Sequence, residues 1–339
     1  MTKRVTIKDL AERLQTTPST VSRALRDKKG VGEPLRKKVK ELAVKLGYQP
    51  NAVAAGLRKG RSNTIGVIVP RINRDFFSGV ISGIEEVAFE NHYNVIICQT
   101  HDKIDKERQY VETLLSARVD GILASLSIET NTCDHFRKVQ YAGIPLIFFD
   151  RIPQDMQVNQ VVIDDYDGAY RIVQHMIRQG YRRIVHFAGP EYLNIYRDRL
   201  NGYKDALKEH GITVDPDLII LNKLTLEEGQ KSMGMLLRKK IRPDAVFSAS
   251  DYAALGALLV LLEKGFRIPE QIGVAGFSNE KFTSYITPSL TTVDQHSREI
   301  GRHCTGMFLE EIRRNVPTPR KIVLSPELLI RESTSKKTT

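Results

Sequence analysis

From Thr64 onward, short apolar runs alternate with amphipathic stretches, and this alternation leaves few folds open. The runs are TIGVIV (64–69), NVIIC (94–98), DGILAS (120–125), LIFFD (146–150), VVID (161–164), RIVHFA (183–188), LIIL (218–221), AVFSAS (245–250) and IGVAGF (272–277). Most are too short for helices and apolar on both faces, as strands covered on both sides must be. Between them lie stretches with helical periodicity, such as 77–91, 105–117, 167–179 and 252–264. The pattern predicts an α/β core with parallel sheets and helices on both faces. Nine runs are too many for one small sheet, so two doubly wound parallel-sheet subdomains are expected, split near Asp164. Ligands of such sheets bind outside the carboxyl ends of the strands. Those ends carry RINRDFF (71–77), Ser125, FFDR (148–151), GPEYLNIYRDR (189–199), SASDY (248–252), GFSNE (276–280) and VDQ (293–295).

Charge divides the chain differently. Its net charge is +11. Residues 1–61 hold 16 Lys and Arg against 5 Asp and Glu, so the other 278 residues are balanced at 35 of each sign. A basic module of this kind, joined to a neutral body, calls for a polyanionic partner. No window approaches 18 consecutive apolar residues and the first residues contain no apolar signal region, so no membrane partner and a cytoplasmic location are expected. Cys98, Cys133 and Cys304 are odd in number and lack metal-ligand spacing, which points to reduced thiols. No cofactor and no metal site are expected. Asp164–Asp165 reads as a strand end and helix cap. No phosphate-binding loop, dinucleotide fingerprint or nucleophile elbow is present, which argues against an enzyme. A pure solute-binding protein would have no use for the basic module.

Three short helices fit into that module. The first starts at Thr6, with Asp9 three residues later as in a capping box, and Ile7, Leu10, Ala11 and Leu14 form its apolar stripe. The second lies in TTPSTVSRALR (16–26), with Thr17 as N-cap and Pro18 at the first helical position. The third runs from about Pro34 to Leu46, turns Leu35, Val39, Leu42 and Leu46 inward, and stops at Gly47. In the second helix Val21, Ala24 and Leu25 make the apolar side; Ser19, Ser22, Arg23 and Arg26 make the other. A helix–turn–helix with such a face is built to enter a major groove, N-terminal residues first. Thr17, Ser19, Thr20 and Ser22 can reach bases or phosphates, and arginine can grip guanine bidentately. Lys3, Lys8, Lys37, Lys38 and Lys40 are candidates for phosphate contacts.

VTIKDLAERLQTTPSTVSRAL, then LGYQPNAVAAGLRKG, then TIGVIVP resembles, in order, the LacI/GalR family of bacterial transcription regulators, and the likeness extends along nearly the whole chain. It implies a small all-α helix-turn-helix domain ahead of a periplasmic-binding-protein-like core. It places Pro18, Ser19 and Arg23 at base-reading positions, with Thr6 also at DNA. It makes residues 51–62 a hinge helix and linker that orders on the operator, with Asn51, Ala54, Leu57 and Arg58 on DNA and Leu57 wedged into the minor groove. The implied partners are a pseudo-palindromic double-stranded operator, a small effector of sugar or sugar-derived type, and a second copy in a homodimer. No leucine heptads follow, so a tetramerising coiled coil is not expected.

The same resemblance implies chain crossings near 162, 291 and 323. The expected division is 1–50, the DNA-binding headpiece, then 51–62, then a core at 63–333. Within the core, subdomain 1 would be about 63–161 plus 292–322 and subdomain 2 about 162–291 plus 323–333, with 334–339 a disordered tail. The effector candidates are Phe76, Phe77, Ser125, Asp150, Arg151, Arg199, Ser250, Asp251, Ser278, Asn279 and Gln295. Phe76 and Phe77 either stack on a ligand ring or belong to the core. Asp150 and Arg151 either pair with each other or face the ligand. Arg199 and Gln295 match effector positions of the family, and Arg199, read as lying in a helix's first turn, opposes the dipole there. Two positions depart from the family: Ser278 replaces an aspartate that holds sugar hydroxyls, and Leu193 replaces the arginine of purine-binding members. Leu193 argues against a purine, and Ser278 against a neutral hexose held in the common way.

Overall fold

The computed structural model describes residues 5–48, 61–239, 241–314 and 319–336, in two units divided between Ser62 and Asn63. In the first unit, α1 (Ile7–Arg13) begins with the expected capping box. The Thr6 amide donates to Asp9 Oδ2 at 2.7 Å, and the Asp9 amide donates to Thr6 Oγ1 at 3.4 Å. In α2 (Pro18–Leu25) Thr17 accepts from the Thr20 amide at 3.2 Å and proline occupies the first turn. α3 (Glu33–Lys45) ends before Gly47, whose φ of +61° favours glycine. Leu10, Ala11, Val21, Ala24, Val31, Val39 and Ala43 close a small core. Lys40, a candidate phosphate contact, instead meets Asp27 at 2.7 Å and ties α3 to the end of α2. Lys3 and residues 51–60 lie outside the described residues, and with them Asn51, Ala54, Leu57 and Arg58.

The second unit has two lobes. The first lobe's sheet has the order β11-β5-β4-β3-β1-β2, all parallel. Its members are β1 (Thr64–Val69), β2 (Asn94–Gln99), β3 (Gly121–Ala124), β4 (Leu146–Phe149), β5 (Asn159–Ile163) and β11 (Lys321–Leu324). Central strands β3 and β4 are buried throughout, whereas edge strands β2 and β11 show exposed residues. Four helices join or cover these strands: α4 (Asp75–Glu90), α5 (Ile104–Ser116), α6 (Asp134–Tyr141) and α11 (Ser297–Arg314). The second lobe's sheet has the order β7-β6-β8-β9, also parallel. It comprises β6 (Ile184–Ala188), β7 (Ile219–Leu221), β8 (Ala245–Ser248) and β9 (Gly273–Ala275), with α7 (Asp165–Arg178), α8 (Asn194–Glu209), α9 (Leu226–Arg238) and α10 (Asp251–Glu263) around it. β10 (Thr292–Asp294) and β12 (Glu327–Leu329) pair antiparallel where the chain passes between the lobes.

Four expectations change. The lobe boundaries at 161/162 and 322/323 would cut strands in two: Val162 and Ile163 pair with Val323 and Leu324, so the chain leaves the first sheet after Ile163 and after Leu324. β11 and β12 were not among the runs read as strands, because KIVL and ELL are short and half-exposed. Arg199 lies in the second turn of α8, because that helix starts at Asn194. Thr334, assigned to a disordered tail, is fully buried, and its hydroxyl meets His175 Nε2 at 2.9 Å and Thr291 Oγ1 at 2.7 Å. Asp164 is the N-cap of α7, accepting from the Asp167 amide at 2.9 Å.

Candidate functional site

The first site is the polar face of α2. Val21 and Ala24 are buried against α1 and α3, which turns Pro18, Ser19, Arg23 and Arg26 to solvent and leaves Ser22 half-buried. Thr17 Oγ1 lies 2.8 Å from Ser19 Oγ and 2.9 Å from Thr20 Oγ1, a hydroxyl cluster fixed by the cap. Thr6 is likewise engaged in capping α1, so its hydroxyl is oriented by Asp9 Oδ2 at 2.8 Å. Among the described residues neither Arg23 nor Arg26 forms an ion pair within 4 Å. Arg23 is in the last turn, where a cation suits the helix dipole. That accounts for a charge at this place but not for two exposed guanidiniums on one face.

The second site is a cleft in the α/β unit whose empty space, counted out into open solvent, is about 660 Å³. Its walls come from the carboxyl ends of strands in both sheets. After β1 come Arg71, Arg74, Phe76 and Phe77; after β2, Asp102; after β4, Asp150 and Arg151. From the second lobe come Tyr196 and Arg199 after β6, Lys223 and Thr225 after β7, Ser250 and Tyr252 after β8, and Ser278 and Glu280 after β9. Gln295 follows β10. Phe76 and Phe77 meet edge to face, with ring centroids 5.0 Å apart, and are largely buried. They are therefore core residues that also show an edge to the cleft.

Hydrogen bonds fix most of this wall. Arg199 stacks on Phe277 at 3.8 Å, pairs with Asp165 at 2.7 Å, and donates to the Ala249 carbonyl at 2.8 Å and Gln295 Oε1 at 3.4 Å. Gln295 Nε2 donates in turn to Ser278 Oγ at 2.8 Å. Arg151 lies 3.9 Å from Asp150, yet its direct partner is Asp102 at 2.6 Å, which Arg71 also contacts at 2.8 Å. Asp150 and Arg151 thus lie within ion-pair distance of each other and both line the cleft, while Arg151 is held more closely by Asp102. Asp150 accepts from Ser125 at 3.1 Å and adopts φ +59° at its strand end. Asn194 bridges the lobes: it accepts from the Ile152 amide and donates to the Asp150 carbonyl, both at 2.9 Å. On the other flank, Glu280 accepts from the Asp75 amide at 2.9 Å and Asp75 accepts from the Lys281 amide at 2.8 Å.

Burial governs the acids here. It works against ionisation of Asp102, but Arg151 and Arg71 outweigh it and hold that carboxyl below the usual range. Burial raises Asp150 despite Arg151 and Arg199. It pushes Asp165 up to about 7 against Arg199, and Asp251 up to about 6. Glu280 is pushed up to about 7, by burial first and then by the charges of Asp251 and Asp75.

Of the predicted effector residues, Phe76, Phe77, Asp150, Arg151, Arg199, Ser250, Ser278 and Gln295 line the cleft together; Ser125, Asp251 and Asn279 do not. Ser125 is buried behind Asp150. Asp251 is fully buried, with the Thr292 hydroxyl and Glu280 amide as its donors at 2.6 and 2.9 Å. Asn279 is turned by φ +51° toward Asp294 and Arg331. Strand-end position identified the neighbourhood but not which side chains face inward. Arg71, Arg74, Tyr196, Tyr252 and Glu280 stood in the strand-end stretches without being singled out. Asp102, Lys223 and Thr225 were missed, although each follows a strand end by a few residues. Leu193 is buried at the start of α8 and lines no part of the cleft.

Known proteins share both parts. Residues 6–51 match the family described as bacterial regulatory proteins, lacI family. Residues 62–332 match that of periplasmic binding proteins and sugar binding domain of LacI family. The chain is 33% identical over 330 residues to the HTH-type transcriptional repressor PurR of Vibrio atlanticus (strain LGP32), covering 97% of this chain and 98% of the relative. It superposes on the lac repressor dimer bound to operator and the anti-inducer ONPF with a TM-score of 0.85 at 25% identity, covering 98% of this chain and 99% of the other. A transcriptional regulator CelR–cellobiose complex gives a TM-score of 0.74 at 29% identity, covering 97% and 100%. These relatives are DNA-binding regulators, in line with the reading that the chain is not an enzyme. The chain belongs to the LacI family and is a DNA-binding transcriptional regulator, with a helix-turn-helix unit ahead of a periplasmic-binding-protein-like core.

Proposed function

We propose that this regulator is a cytoplasmic repressor of a carbohydrate or related catabolic operon, and that a small sugar-type effector in the cleft controls its hold on DNA. The observation that carries this reading is the cleft itself, lined from both lobes by polar groups at strand ends, in a chain that also presents an exposed arginine face on α2. On DNA, Pro18, Ser19 and Arg23 occupy the base-reading positions in the major groove, while Thr6, Thr17, Thr20, Ser22 and Arg26 set the docking. Asn51, Ala54, Leu57 and Arg58 form the hinge contacts, with Leu57 as the wedge. In the cleft, Arg199, Gln295, Ser278, Asp150 and Arg151 hold polar groups of the effector, Ser250 lies beside them, and Phe76 or Phe77 contacts its ring. The chain acts as a homodimer, whose two-fold symmetry calls for a pseudo-palindromic operator. Effector binding changes the angle between lobes and thereby the spacing of the two hinge segments, so one equilibrium links the two sites. The DNA-binding headpiece is 1–50, the hinge 51–62 and the core 63–336, with lobe boundaries at 163 and 324.

In vitro selection of genomic fragments by the purified protein, with and without a pool of sugars, sugar acids and phosphosugars, tests this. A shared two-fold motif whose recovery changes with the pool is expected. Recovery without any common motif under both conditions overturns it. In a gel-phasing assay, Leu57→Ala is expected to reduce operator bending.

A further inference from the structure

We propose that the effector carries an anionic group, a carboxylate or a phosphate, which docks between Arg71 and Arg74 of the first lobe and Lys223 of the second. This rests on the effector-cleft reading above and narrows its ligand class. Cations outnumber their carboxylate partners at this end of the cleft. Arg71 contacts Asp102 at 2.8 Å, but that one carboxylate also serves Arg151. The Arg74 guanidinium lies 3.4 Å over the Tyr252 ring, and Lys223 is exposed. Among the described residues neither Arg74 nor Lys223 has an ion pair within 4 Å.

The three cations come from opposite walls but converge. All three line the same cleft. Glu227, in the first turn of α9 just beyond Lys223, is held below the usual range by its Thr225 hydrogen bond first, and also by the charges of Arg74 and Arg71. The charges of those two arginines therefore reach the β7–α9 segment, whose Lys223 and Thr225 line the same cleft. The deep end differs: there Arg199, Gln295 and Ser278 are already joined in a hydrogen-bonded chain that offers both donors and acceptors, which suits hydroxyls. A polyol in the deep end would leave the outer cations with neutral oxygens. An anionic substituent would give them charge-assisted bonds, roughly twice as strong as neutral ones. It would also bridge the lobes, which is what an effector acting on lobe angle must do.

The test uses the full-length protein and matched probes: inorganic phosphate against chloride at equal ionic strength, and glucose against gluconate and glucose 6-phosphate, read by thermal shift and calorimetry. Phosphate is expected to raise the melting temperature where chloride does not, and any sugar that binds should bind more tightly in its anionic form. Lys223→Ala and Arg74→Ala should each weaken phosphate binding by about tenfold, as loss of a charge-assisted contact does. Glu227→Gln, which removes a competing carboxylate, should strengthen it. Phosphate behaving like chloride, a neutral sugar binding as well as its anionic partner, or indifference to Lys223→Ala and Arg74→Ala would each overturn the proposal. Operator affinity measured with the same probes separates the two readings. A neutral sugar that binds and changes operator affinity would remove the anion and leave the effector cleft. Phosphate binding that Lys223→Ala weakens, with operator affinity untouched by every ligand that binds, would leave the anion site and remove its regulatory role.

Discussion

Two arginines show how differently one residue type can be used. Arg23 is exposed on α2, pairs with no carboxylate among the described residues, and costs the fold little to lose. Arg23→Ala is expected to forfeit about 1–3 kcal/mol of discrimination at one base pair, measured as the ratio of operator to scrambled-DNA affinity. Arg199 is only 2% exposed and neutralises Asp165, which is equally out of water. Removing it strands a buried carboxylate, so Arg199→Ala should cost about 3–5 kcal/mol in urea unfolding as well as the effector response. Sequence alone marked both as functional. That Arg199 is also a structural cation depended on Asp165, Ala249 and Gln295 converging from three other segments, which no local pattern records.

Helices meet in the first lobe through glycine. A Cβ on Gly83 of α4 would lie 2.0 Å from the Arg298 carbonyl, and one on Gly301 of α11 would lie 2.1 Å from that of Val80. The two backbones touch at this crossing, and neither can yield as a side chain does. Gly301→Ala is therefore expected to destabilise the core by about 1–3 kcal/mol or more, visible as a lower urea midpoint. A second junction depends on pH. Glu280 of the second lobe and Asp75 at the start of α4 accept from each other's segments across the cleft. Folding raises the Glu280 pKa from 4.5 to about 7, so the folded chain holds that proton more tightly than the unfolded chain does. The associated stability is complete below about pH 4.5 and is lost as pH rises through about 7, on the order of 3 kcal/mol. Glu280→Gln should raise the urea midpoint near pH 7.5 and leave it close to wild type near pH 4.5.

At the scale of the whole chain, charge and shape divide at the same place. The excess of eleven positive charges falls within residues 1–61, and the α/β unit is balanced. A chain shortened to residues 62–339 should fold, bind effector and lose DNA affinity, with no remaining salt-dependent binding in a fluorescence titration. The division into a basic headpiece and an α/β core was legible because it is carried by local quantities: net charge, strand-length apolar runs, and caps such as Thr6–Asp9 and Thr17. β11 escaped notice because KIVL pairs with β5 from far along the chain, and Thr334 because its partners, His175 and Thr291, lie 159 and 43 residues away. The cleft divides in the same way. Its neighbourhood follows from the rule that ligands sit at strand carboxyl ends, which pointed to Asp150, and the family resemblance added Arg199 and Gln295. Inward direction is set by side-chain contacts between segments, so Asp251 and Asn279 proved to be supports, while Arg74, Lys223 and Glu280 emerged as lining. Sequence by itself determined the elements, their charge and the ends of the strands where a ligand can sit. Tertiary structure decided which of those residues share one cavity, because that depends on contacts between segments far apart in the chain.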